Sequence, residues 1–206
     1  MTSTIPTAAL TDNPLAIAIE TGRVRPNDLA PLACHLDELV GSNVSSTELM
    51  ARRHQNTPLA SLYELSHQSE QHAYQLLSSF VGVYDTGSNP TRSMDAVALA
   101  YPGQIARIAV TGSPWDYPAS FVHLCRSSTG CYRRLYESLL ATEFFTTQQL
   151  AHFDYFSQID EAEITATESL LTGIPDAALA RALQLAQQLA SFEELFWQRM
   201  VALCTA

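Results

Sequence analysis

Near the C-terminus, in Ser191-Phe-Glu-Glu-Leu-Phe-Trp-Gln198, Glu193 stands one helical turn before Phe196 and Trp197. On a helix, positions three and four apart share a face, so Glu193 lies by the apolar stripe and Glu194 points more toward solvent. A carboxyl group beside two large aromatic rings loses hydration and its pKa rises, which suits a general acid or base near neutral pH. The plainer alternative is that Glu193 borders the stripe and reaches water along its stem. Cys131 is the second candidate, in Gly130-Cys-Tyr-Arg-Arg-Leu-Tyr-Glu137. If Gly130 breaks the chain, the thiol sits at a helix N-terminus, where the dipole and the neighbouring Arg133 and Arg134 would lower its pKa. A small buried hydrophobe is the competing reading.

Metal chemistry has thinner support. Glu64-Leu-Ser-His67 puts a carboxylate and an imidazole on one helical face, half of a di-iron carboxylate site, and no other helix offers a second Glu-x-x-His pair. Glu70 and His72 point in different directions, and His123, Cys125 and Cys131 lack zinc-ligand spacing. No metal site and no cofactor is therefore expected. His35, His54 and His152 read as surface or cap residues.

Composition narrows the chemistry further. All 11 basic residues are arginines, which excludes a Schiff-base lysine, a Walker A loop and a lysine general base. A net charge of −10 without a basic stripe argues against nucleic acid and anionic membranes. No apolar run is long enough to span a bilayer, and Met1-Thr-Ser-Thr-Ile-Pro-Thr7 lacks a signal-peptide pattern, so a cytoplasmic protein is expected. The four cysteines, Cys34, Cys125, Cys131 and Cys204, are too scattered for a disulfide framework.

The elements that must position these residues are all helical. At 206 residues and 47% apolar, the chain is expected to form a single domain, residues 1–206, with 1–12 as a flexible arm. The segment Asp85-Thr-Gly-Ser-Asn-Pro-Thr91 is linker-like but short enough to be an inter-helix loop. Helix starts are read at Pro14, Asp28, Ser45, Thr57, Ser93, Ser113, Cys131, Thr146, Asp160 and Pro175. Breaks are read at Gly22, Gly41, Thr129-Gly130 and Gly173, a kink at Pro102-Gly103, and a short or ragged helix at Pro118. Strand alternation is absent. The expectation is an all-α bundle of about eight helices, two thirds or more helical.

Read together, these segments resemble the thiaminase II (TenA) family, of the heme-oxygenase-like class, over most of the chain. Asn13-Pro14-Leu15, then Thr21-Gly22 and the following helix, is similar to the family's opening His-Pro-Phe and its turn. Tyr101 through Gly112 is similar to its Tyr-rich segment. Cys131 with Tyr136-Glu137 looks like the catalytic Cys followed by Tyr-Glu, and Glu193-x-x-Phe196-Trp197 like the late Glu-x-x-Phe-Trp. The resemblance implies Cys131 as nucleophile on an aminopyrimidine ring, Glu193 as proton carrier, and Tyr136 and Trp197 in the pocket; Phe196 and Tyr101 go with them as substrate-binding candidates. The family's second-helix aspartate aligns with Leu36, which cannot accept the hydrogen bond; Asp37 could serve only with a shifted register. Cys125 is a rival for the family cysteine.

Three readings follow: a TenA-like protein binding a small flat heterocycle, as a Cys/Glu-dependent hydrolase of a thiamin-related aminopyrimidine; an iron-dependent oxidoreductase on the same fold; or a non-catalytic binding or regulatory protein. The expected partner is a small molecule, with no nucleic acid and no membrane, in a homodimer or homotetramer.

Overall fold

A computed structural model describes residues 12–85, 94–159, 161–171 and 173–206. Eight α-helices run in the order α1 (Pro14–Glu20), α2 (Ala30–His54), α3 (Ala60–Gly82), α4 (Ala100–Thr111), α5 (Asp116–Leu140), α6 (Ala151–Ser157), α7 (Glu161–Leu170) and α8 (Asp176–Cys204), with no strand among the described residues. With a short 3-10 helix at Pro26–Asp28 included, helix amounts to 76% of the described residues. The helix starts read at Ser93 and Asp160, the proposed arm apart from Asp12, and the loop after Asp85 lie outside the described residues.

Local chemistry sets the ends. Asn13 caps α1, its Oδ1 accepting from the backbone N–H of Leu15 at 2.9 Å and of Ala16 at 3.2 Å, while Pro14 fills the first helical position. Gly22, at φ 71°, reverses the chain behind it.

Several anticipated breaks are absent. Gly41 and Ser45 do not interrupt α2, and Thr129-Gly130 does not interrupt α5. In both helices a hydroxyl turns back onto the ladder instead of capping a new one: Ser45 donates to Gly41 O at 3.2 Å and Thr129 to Cys125 O at 2.6 Å. Gly41 lies where the Tyr74 ring crosses, 3.7 Å from the point a Cβ would occupy. Pro102 and Pro118 lie inside the unbroken helices α4 and α5, and the helix expected to be short or ragged at Pro118 runs on to Leu140. Each is the third residue of its helix, where the backbone N–H would have no intrahelical acceptor. At the start of α5, Asp116 accepts from the backbone N–H and the hydroxyl of Ser113, both at 2.8 Å.

The long helices pack as α2 on α3 and α4, and α5 on α8 and α6, with α1 closing one end against α5 and α8. Apolar side chains gather at both ends of this bundle. One cluster joins Leu15, Leu32, Leu36, Phe80, Leu135, Phe153 and Met200; the other joins Met50, Tyr63, Ile105, Ile108, Tyr117, Leu185 and Leu189. The middle turns of α2, α3, α5 and α8 meet between the two clusters, and the cavity lies there. No helix is long and apolar enough to cross a membrane among the described residues.

Candidate functional site

The cavity between the two apolar clusters has a volume of about 90 Å³. Helix α2 contributes Leu39, Val40 and Asn43, α3 contributes Glu70, and α4 contributes Tyr101 and Ile105. From α5 come Tyr117, Phe121, Leu124, Cys125, Ser128 and Tyr132, and from α8 Glu193, Phe196 and Trp197. Phe156 and Ile159 complete the wall. The spacings follow from helical phase: 117, 121, 124, 125, 128 and 132 are one stripe of α5, and 193, 196 and 197 one stripe of α8.

Glu193 is 7% exposed. The Ser128 hydroxyl donates to its Oε2 at 2.6 Å. The indole N–H of Trp197 lies beside the same carboxyl and favours its charged form, yet does not close to a full hydrogen bond and has no other partner. Burial outweighs both and pushes the pKa up to about 7. Glu70, opposite on α3, is likewise pushed up to about 7 by burial, against an opposing hydrogen bond from the Asn43 side chain. Glu70 is half-buried and lines both this cavity and the groove next to it. Burial, reinforced by these carboxyl groups, raises the phenols of Tyr101, Tyr117 and Tyr132 well above their usual range, so all three remain protonated donors. Tyr132 meets the Trp197 ring edge-on at a centroid distance of 5.6 Å.

Of the residues the sequence singled out, Glu193, Phe196, Trp197 and Tyr101 line this cavity; Cys131, Tyr136 and Asp37 do not. Cys131 is 0% exposed on the adjacent face of α5. The reasons for expecting a low thiol pKa are overturned, because Cys131 sits in mid-helix and not at a helix start. Burial and then the charge of Glu193 push its thiol up to about 12, and Arg134 offsets this only in part. Tyr136, one turn beyond Tyr132, packs against the larger apolar cluster. Asp37 is engaged by the Tyr74 hydroxyl of α3, and Leu36 is fully buried in the core.

His35, His54 and His152, read from the sequence as surface or cap residues, are buried. His35 bridges Pro31 O at 2.8 Å and the Asp95 backbone N–H at 3.0 Å, His54 stacks on Tyr63 at 4.7 Å, and His152 is fully buried against Ala73 O at 3.0 Å. Desolvation lowers the His152 pKa to about 4, so the ring is neutral. Glu64 is exposed, accepting from the Gln68 amide at 3.2 Å, while His67 contacts Thr47 Oγ1. Among the described residues no three His, Cys, Asp or Glu side chains converge as a metal-binding group.

Glu70, Asn43, Ser128 and Tyr132 were missed as site residues. For Glu70 the obscuring signal is its neighbourhood: Gln68, Ser69, Gln71 and His72 make that stretch of α3 look solvated. Asn43 is hidden in the same way among Gly41, Ser42, Ser45 and Ser46. A polar residue three or four places from an apolar one, as Asn43 is from Leu39 and Val40, was the available clue. No protein-family model matches the chain, and no curated protein matches it either.

Proposed function

We propose that this chain is a TenA-like, heme-oxygenase-like helical protein that holds a small, flat, ring-containing molecule in the central cavity, with Glu193 as its proton carrier. The observation that carries the reading is Glu193 itself: a carboxyl group enclosed by Tyr132, Phe196 and Trp197, hydrogen-bonded by Ser128, and half-ionised near neutral pH. Aromatic walls suit a planar ring.

In its catalytic form the reaction is hydrolysis of a C–N bond on an aminopyrimidine. As the attacking thiol forms a C–S bond and the C–N bond breaks, Glu193 takes the thiol proton and delivers it to the departing amine; water then adds at the same carbon, breaking the C–S bond and returning the proton to the thiol through Glu193. The resemblance implies Cys131 as nucleophile; Cys125 is the thiol on the cavity wall. Comparing thiamin and aminopyrimidine hydrolysis by wild type, Glu193→Gln, Cys125→Ser and Cys131→Ser tests this. Loss of about 10²-fold or more in Glu193→Gln and in one cysteine variant is expected. Equal background rates in all four would sink the hydrolase.

A second reading, a binding protein without chemistry, draws on the Cys131 thiol held protonated and on a second helix that offers the cavity Leu39, Val40 and Asn43 and no carboxylate. It predicts ring binding in all four proteins and turnover in none.

A further inference from the structure

The cavity wall holds a hydroxyl nucleophile in direct contact with an enclosed acid. Ser128 stands in the middle of α5, half-buried and lining the cavity, and its Oγ donates to Glu193 Oε2 at 2.6 Å. The indole N–H of Trp197 lies beside the same carboxyl group from its own position one turn along α8. A nucleophile, a base within hydrogen-bond reach and a third group beside that base are the parts that activate a hydroxyl. Phenol donors stand on the same wall. Tyr101, Tyr117 and Tyr132 are kept protonated by burial, and Tyr132 follows Ser128 by one turn on the same stripe of α5.

We propose that Ser128 and Glu193 form a serine–glutamate dyad that cleaves short-chain esters of planar aromatic alcohols. The dyad goes beyond the ring-binding reading: it shares the cavity and Glu193 with that reading and requires neither cysteine. Aromatic walls receive the aryl group. The adjoining groove, of about 590 Å³, shares Tyr117, Phe121, Phe156 and Ile159 with the cavity and takes the part of the ester that the cavity does not hold.

The reaction balances with water as its only co-substrate. Ser128 Oγ attacks the ester carbonyl carbon while its proton passes to Glu193, and the charge gathering on the carbonyl oxygen meets a phenol O–H. Glu193 gives that proton to the aryl oxygen as the C–O bond breaks, which leaves an acyl-serine. Water then adds to the acyl carbon and passes a proton to Glu193. The same proton returns to Ser128 Oγ as the carboxylic acid departs. Proton transfer accompanies each attack, so no free alkoxide is required, and a base half-ionised near neutral pH suits both directions of transfer.

Two probes test the dyad in wild type, Ser128→Ala and Glu193→Gln, each first checked for an intact thermal transition. One is release of nitrophenol from para-nitrophenyl acetate; the other is phenylmethanesulfonyl fluoride, with its adduct located by peptide mass spectrometry. The chain has no lysine, which removes the usual competing acceptor of acyl groups. Wild type is expected to turn over the ester and to carry the sulfonyl group on Ser128. Ser128→Ala is expected to lose both, and Glu193→Gln to slow both by about 10²-fold or more. A wild-type protein without an adduct on Ser128, or Ser128→Ala as fast on the ester as wild type, would overturn the dyad; the wild-type adduct decides even if a substitution unfolds the chain. Either of those results leaves ring binding and the cysteine hydrolase standing. Ser128 labelled in a protein inert toward thiamin and aminopyrimidine would support the dyad and remove the cysteine hydrolase.

Discussion

At the scale of single residues, the decisive competition is between hydration and enclosure at Glu193. Ser128 and Trp197 both favour the ionised form, and burial still wins, raising the pKa from 4.5 to about 7. A carboxyl group whose folded pKa is raised binds its proton more tightly in the folded chain. Its favourable contribution is complete below the unfolded pKa and is lost as pH climbs through the folded one. Glu70 acts with the same sign, and His152, neutral with its pKa lowered to about 4, acts with the opposite sign at the acid end. Glu193→Gln keeps the shape and removes the ionisation. Chemical denaturation at about pH 8 is therefore expected to find it more stable than wild type by about 1–3 kcal/mol, with the gain gone by about pH 4. A variant less stable than wild type at both values would contradict a desolvated Glu193. Glu193 was legible because its neighbours at three and four places are large and apolar. Glu70 was not, because what encloses it comes from α2, α4, α5 and α8, and local sequence carries no record of that.

At the scale of helices, proline and glycine do not by themselves end a helix. Pro14, Asn13 and Gly22 mark α1 as their chemistry demands, whereas Gly41, Pro102, Pro118 and Gly130 lie within continuous helices. The prolines fall in the first turn, where no ladder hydrogen bond is lost, and the glycines are carried by the packing of their long helices on both sides. One consequence concerns Cys131: without a break at Gly130 there is no helix terminus to stabilise a thiolate. Glycine inside a helix costs about 0.5–1 kcal/mol relative to alanine. At Gly41 an added Cβ would meet the Tyr74 ring at 3.7 Å, ordinary contact, so Gly41→Ala is expected to raise stability by that amount. Gly112→Ala is expected to lower it, because its Cβ would fall 2.4 Å from Ile108 O. Thermal melts of the two variants moving in the same direction would contradict this account of the helices.

At the scale of the whole molecule, two apolar clusters stacked along the bundle leave a polar-edged cavity between them. The all-helical architecture was legible from the 3.6-residue periodicity of apolar positions, since that pattern is local. The position of the cavity was not, because it depends on where the middle turns of four helices cross. The account stands on one physical condition: the cavity encloses two carboxyl groups that ionise near neutrality. The most direct measurement is an NMR pH titration of protein labelled with ¹³C at the glutamate carboxyl carbons, with Glu70→Gln and Glu193→Gln to assign the signals. Two carboxyl resonances titrating near pH 7, each missing from one variant, are predicted. All glutamates titrating near the ordinary value of about 4.3 would contradict the account.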